Sequence, residues 1–171
     1  AKLFNPDFII ANMHWGLEYE RIPSREQREL ADWLMRQGVD LVIGSHPHVV
    51  QPMELRRGKE GVPDRLVVYS LGNFISNMSR EHTDGGVMVK VVLGRKGLRR
   101  YIASAQYSLI YSSRYKNEQG KEDIRVVPAA SWSGKNQNSS FSVDSALIKY
   151  VNNMRLFLKG NNKEVEEYIF E

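Results

Sequence analysis

The sequence predicts a mixed α/β (α+β) fold: a β-α-β start, a middle third of mostly antiparallel strands, and helices at the C-terminal end. Three observations predict it. Two apolar runs, 7–13 and 39–43, flank one helix-sized segment. The middle of the chain alternates β-branched and aromatic runs with Gly, Pro and Asn breaks. Near the end, Val143, Ala146, Leu147, Tyr150, Val151, Met154, Phe157 and Leu158 fall on one helical face.

The first strand, 7–13, delivers His14 at its C-terminal end. Ser24-Arg25-Glu26-Gln27 is a capping box, with Ser24 as N-cap and Gln27 three residues on. Leu30, Ala31, Trp33 and Leu34 follow at helical spacing, and Gly38 supplies a C-terminal stop. That stripe is expected to face the core, Trp33 included. The second strand, 39–43, leads into Gly44-Ser45-His46-Pro47-His48-Val49-Val50-Gln51. Gly44 is read as allowing a sharp turn there, and Pro47 as stiffening the loop. A right-handed crossover makes the two strands parallel neighbours and brings His14, His46 and His48 to one sheet edge. Open α/β sheets place their sites at that edge.

Five further strands are expected, at 51–56, 65–70, 86–93, 98–108 and 123–130. Their breaks hold Gly58, Gly61 and Pro63, then Gly94 and Gly97, then Asn117 and Gly120. Residues 133–140 are polar and Gly/Asn/Ser-rich, a loop or linker. The C-terminal amphipathic helix is expected to stop at Gly160. Val165, Tyr168 and Ile169 suggest a last short helix.

Composition narrows the function classes. The chain has 171 residues, enough for one core, with 42% hydrophobic and 26% charged residues. No apolar run approaches a membrane span, and no signal-peptide pattern is present. The start at Ala1, directly before a core strand, suggests a piece of a longer protein. With no cysteine, disulfides and thiolate ligands are excluded, so a metal would sit on imidazole and oxygen. The net charge of +4 favours anionic partners.

The histidines carry the chemistry. Imidazoles on a stiff loop can hold Zn, Mn or Fe, and such a site polarises a phosphoryl or carbonyl oxygen. Glu18, four residues after His14, is a candidate ligand, general base or supporting partner. Gly72-Asn73 follows an apolar strand and reads first as a turn; its amide could also orient a ligand. His82, in a polar loop, reads as a surface histidine. Residues 94–121 interleave Tyr101, Tyr107, Tyr111 and Tyr115 with seven Lys/Arg. That composition occurs on single-strand nucleic-acid surfaces, but a twisted sheet with solvated cations accounts for it. No Walker loop, RNP signature, nucleophile elbow or HExxH is present, and no nucleic acid is expected.

Three blocks together, 14–19 (HWGLEY), 44–51 (GSHPHVVQ) and 69–74 (YSLGNF), resemble the bacterial CapA capsule-synthesis family, associated with poly-γ-glutamate capsule formation. The resemblance covers about residues 5–93. It implies a fold similar to calcineurin-like metallophosphatases, a β-sandwich flanked by helices. It also implies divalent-metal ligation (Mn, Zn or Fe) by His14, His46 and His48. Glu18, Gln51 and Asn73 belong to the family motifs, with Glu18 and Asn73 as catalytic candidates. The remaining ligands would come from an N-terminal half that this chain does not match. On this view residues 1–132 are the C-terminal part of the domain, 133–141 a linker and 142–171 C-terminal helices. Half of the sandwich would be absent, leaving apolar surface open to association. The implied partners are an anionic polymer or phosphorylated substrate, the missing N-terminal half and other capsule-synthesis proteins. The implied setting is the bacterial cell envelope, extracytoplasmic, with membrane attachment through a segment outside this chain. Two alternatives stay open: a non-catalytic envelope scaffold that binds an anionic polymer, and a phosphoesterase on small phosphorylated substrates.

Overall fold

The structure, a computed structural model, describes residues 2–58, 61–129 and 145–169. After a 3₁₀ turn at Lys2–Phe4, strand β1 (Ile10–His14) leads through helix α1 (Arg25–Arg36) to β2 (Leu41–Ser45). The strands β3 (Met53–Arg57), β4 (Pro63–Val68), β5 (Gly85–Lys96), β6 (Arg99–Lys116) and β7 (Glu122–Pro128) follow. Helix α2 (Ser145–Asn161) and the two-residue strand β8 (Glu166–Glu167) close the described chain.

Two sheets result. The first has the order β1-β2-β4-β3, with β1, β2 and β4 parallel and β3 antiparallel. Strand β4 is central, which is why Leu66, Val67 and Val68 are fully buried on both faces. The second sheet runs β5-β6-β7 antiparallel, with β8 parallel to β6.

The layers follow from which faces are apolar. One face of the first sheet packs on α1 through Trp15, Ala31, Val39, Val42, Val67 and Tyr69. The other face shares a core with the second sheet and α2, where Leu66, Leu109, Met154 and Leu158 are fully buried. Residues 71–73 stitch the sheets together. The Leu71 N–H donates to the Gly44 carbonyl, and the Leu71 carbonyl accepts from the Val87 N–H. The mixed α/β class with its β-α-β start and antiparallel middle therefore stands. Among the described residues, no helix is long and apolar enough to cross a membrane.

Several details differ from expectation. Trp33 is 50% exposed and Leu30 39% exposed. The small Ala31 makes the closest approach to the sheet, and position 33 lies about 200° round the helix from it. Gly44 lies within β2 rather than at a turn. Its missing Cβ leaves room for the Trp15 indole, which reaches across β2 to donate to the Tyr69 carbonyl at 2.8 Å. Strand β6 continues to Lys116, because β7 pairs along its second half. Helix α2 passes through Gly160 to Asn161. The expected last helix is instead extended chain ending in β8. There Lys163 exchanges backbone hydrogen bonds with Met53 and Leu55, and the Asn162 side chain accepts from the Met53 N–H. The expected linker at 133–141 lies outside the described residues.

Candidate metal centre at the histidine edge

The β1/β2 register pairs His14 with Ser45, so both strands end at one level. The parallel pairing carries His14 and the 46–48 turn to the same edge. Within that turn His46 has φ 106° and His48 φ 60°, both in the left-handed region. Non-glycine residues adopt that region rarely and at a cost, and such strain clusters at functional sites. Pro47 between them is buried, and its carbonyl accepts from the Tyr19 N–H at 2.7 Å. The 15–20 loop is thereby fastened to the histidine turn.

The side chains converge. Ligand atoms of Glu18, His46 and His48 all lie within 4.8 Å of one another. The His14 ring sits against His46, with centroids 4.4 Å apart, and the His46 and His48 centroids are 6.2 Å apart. The tightest group thus includes Glu18, with His14 at its flank. Two imidazoles and a carboxylate suit borderline divalent metals, so the donor set fits such an ion.

Asn73 fixes how His48 presents itself. Its amide nitrogen donates to Ser76 Oγ (3.1 Å) and to the Thr83 carbonyl (2.9 Å). Its amide oxygen is therefore the atom 3.0 Å from His48 Nδ1, and it must accept from an Nδ1–H. That tautomer leaves the Nε2 lone pair available to a metal. Asn73 is thus a positioning residue for His48. Gln51, fully buried, is structural. It exchanges hydrogen bonds with Gln27 (2.8 and 3.4 Å) and donates to the Glu20 carbonyl at 2.8 Å.

Gln27 is the hub behind the site. It completes the α1 capping box with Ser24, pairs with Gln51 and packs where a Cβ on Gly16 would stand. Two further residues complete the surroundings. Tyr19 (φ 68°) stacks on His48 at 6.2 Å; desolvation and a hydrogen bond to Glu18 push its phenol above the usual range. The Arg80 guanidinium lies over the Tyr19 ring, 3.9 Å from its centroid. Sequence spacing signals neither: Arg80 is far along the chain, and Tyr19 lies in a loop.

A parallel sheet edge that gathers imidazoles and a carboxylate on strained turns defines a candidate metal-binding α/β protein. Residues 1–78 match the family model described as "Bacterial capsule synthesis protein PGA_cap". It is 34% identical over 95 residues to the "PGA biosynthesis protein CapA" of Bacillus subtilis (strain 168), covering 56% of this chain and 23% of that relative. It is 36% identical over 96 residues to the "Capsule biosynthesis protein CapA" of Bacillus anthracis, covering 56% of this chain and 22% of that relative. The matches span less than a quarter of either relative's length.

Proposed function

We propose that this chain is part of a capsule biosynthesis protein whose histidine edge binds a divalent metal ion. The convergence of Glu18, His46 and His48, with His14 against His46, carries the reading. When bound, such an ion supplies Lewis acidity and an acidified water. The chain's own groups set its surroundings: Asn73 holds the His48 tautomer, Tyr19 hydrogen bonds Glu18, and Glu18 is placed to ligate or to accept a proton. Further ligands would come from an N-terminal portion of the full protein. The process belongs to the bacterial cell envelope, where a capsule is built. An extracytoplasmic, membrane-attached setting, with a segment outside this chain as anchor, is the finer form of the proposal. Other capsule-synthesis proteins and a polyanionic or phosphorylated substrate would be its partners.

The test is calorimetric titration of Mn²⁺ and Zn²⁺ into this chain and into a His46→Ala/His48→Ala variant. Saturable binding that disappears in the variant is expected. Binding of equal strength in both chains would overturn the reading.

A further inference from the structure

Beside the histidine edge lies a cavity of about 380 Å³, between residues 78–84, strand β6 and helix α2. Its wall includes Arg80, His82, Arg114, Lys149 and Asn153. It lies mostly beyond residue 78, where the family match ends.

The charge in this pocket is unusual for the molecule. Most arginines here are paired to carboxylates: Arg56 to Asp32 and Glu54, Arg65 to Asp40, Arg57 to Glu164, Arg155 to Glu167. Arg80, Arg114 and Lys149 make no ion pair among the described residues. Arg114 spends Nη2 on the carbonyls of Asn77 and Met78 and so holds the 76–84 segment. Behind the wall, Arg21 is half-buried. It lies over Phe157 at 3.7 Å, its Nη1 is 3.4 Å from His82 Nε2, and its Nε is buried without a partner. A guanidinium desolvated against an aromatic ring, a thioether and an imidazole makes no ion pair among the described residues, and Glu81 acts on it only at longer range. Two acids line the same pocket. The Glu81 side chain is 77% exposed and turned toward water. Asp84 is partly buried, and burial pushes its carboxyl above the usual carboxylate range.

We infer that this cavity is an oxyanion subsite, in which Arg80, Arg114 and Lys149 receive a carboxylate or phosphate group of a ligand that also reaches the histidine edge. Guanidinium forks match both oxyanions in geometry, and a lysine adds a point charge. The two places are physically continuous. Arg80 rests on Tyr19, Tyr19 stacks on His48, and Asn73 ties His48 to the Thr83 carbonyl in the cavity-lining segment. A ligand with ionised groups repeated along its length could occupy both.

The subsite adds a second binding position to the proposed metal centre and is tested apart from it. Inorganic phosphate and a γ-linked glutamate trimer are titrated separately into the chain at low salt without added metal. The Arg80→Gln/Lys149→Gln variant and the His46→Ala/His48→Ala variant are treated alike. Arg80 and Lys149 are exposed, so their replacement leaves the fold intact, as thermal unfolding will verify. The expected result is saturable binding of at least one probe, weakened tenfold or more by the Arg80/Lys149 changes and unaltered by the histidine changes. Tighter binding of the trimer identifies a polycarboxylate as the ligand; tighter binding of phosphate identifies a phosphorylated one. No saturable binding of either probe overturns the inference, as does binding indifferent to the Arg80/Lys149 changes. Binding lost only with the histidines also overturns it, by placing the anion elsewhere. Loss of metal binding alone bears on the metal centre and leaves the subsite standing.

Discussion

His48 is constrained from three directions: a left-handed backbone, the Asn73 amide oxygen at Nδ1 and the Tyr19 ring against its face. Replacing Asn73 by Leu removes only the second constraint. The imidazole can then adopt the other tautomer or turn away. Loss of such a supporting partner commonly costs about 10- to 100-fold in metal affinity. That drop is expected in the Mn²⁺ titration of Asn73→Leu, with the chain still folded; undiminished affinity would remove Asn73 from the site. His82 gives a second prediction at this scale. Burial, and then the neighbouring Arg21 charge, lower its pKa below the ordinary 6.5. The unfolded chain therefore takes up a proton before the folded chain does. Its contribution favours the fold above about pH 6.5 and is lost as the pH falls from there to the folded pKa. Urea unfolding followed between about pH 8 and 5 should show a shallower acid loss in His82→Gln than in the unaltered chain. Parallel curves would count against this account.

At the scale of elements, the strand-helix-strand unit shows what patterning can and cannot reveal. The Ser24/Gln27 capping box and the parallel pairing of the two His-bearing strands follow from local chemistry and the crossover rule, and the structure contains both. The rotation of α1 does not follow. Leu30 and Trp33 carry far more apolar side-chain surface than Ala31, yet the small residue is the one that lets the helix approach the sheet. Gln27 makes the same point from the polar side. Its capping role is legible, while its pairing with Gln51 across the loop depends on packing between distant segments. The extended end of the chain was not legible for a related reason: a short stretch whose helical spacing rests on Val165, Tyr168 and Ile169 is too brief to resist pairing with β3 and β6. The role of Gly44 became clear only from the Trp15 indole that crosses it. Gly44→Ala would press a methyl group onto the Tyr69 carbonyl and the Trp15 Nε1. Overpacking of this kind typically costs about 1–3 kcal/mol. Urea denaturation should register that loss, together with a changed Trp15 fluorescence. Stability equal to the parent's would mean that the indole is not held over β2.

For the whole molecule, the histidine edge is a junction rather than an appendage. His14 ends β1, His46 and His48 follow β2, and Glu18 stands on the loop anchored to α1 through Gln51 and Gln27. Through Asn73 the same junction reaches Thr83 and the start of the second sheet. An ion bound there would tie together segments that otherwise meet through a few hydrogen bonds, and unfolding would have to release it. Binding to the native state alone stabilises by about 2.7 kcal/mol when free ion exceeds Kd a hundredfold. For a chain of this size each kcal/mol moves Tm by about 2–4 °C. Saturating Mn²⁺ or Zn²⁺ should therefore raise Tm by about 5–11 °C, chelation should reverse the rise, and His46→Ala/His48→Ala should abolish it. Glu18→Gln separates the two roles open to that carboxylate. As a ligand, its replacement removes most of the shift; as a proton acceptor, its replacement leaves the shift in place. A shift of equal size in the double-histidine variant would locate the ion elsewhere in the molecule and end the case for this edge.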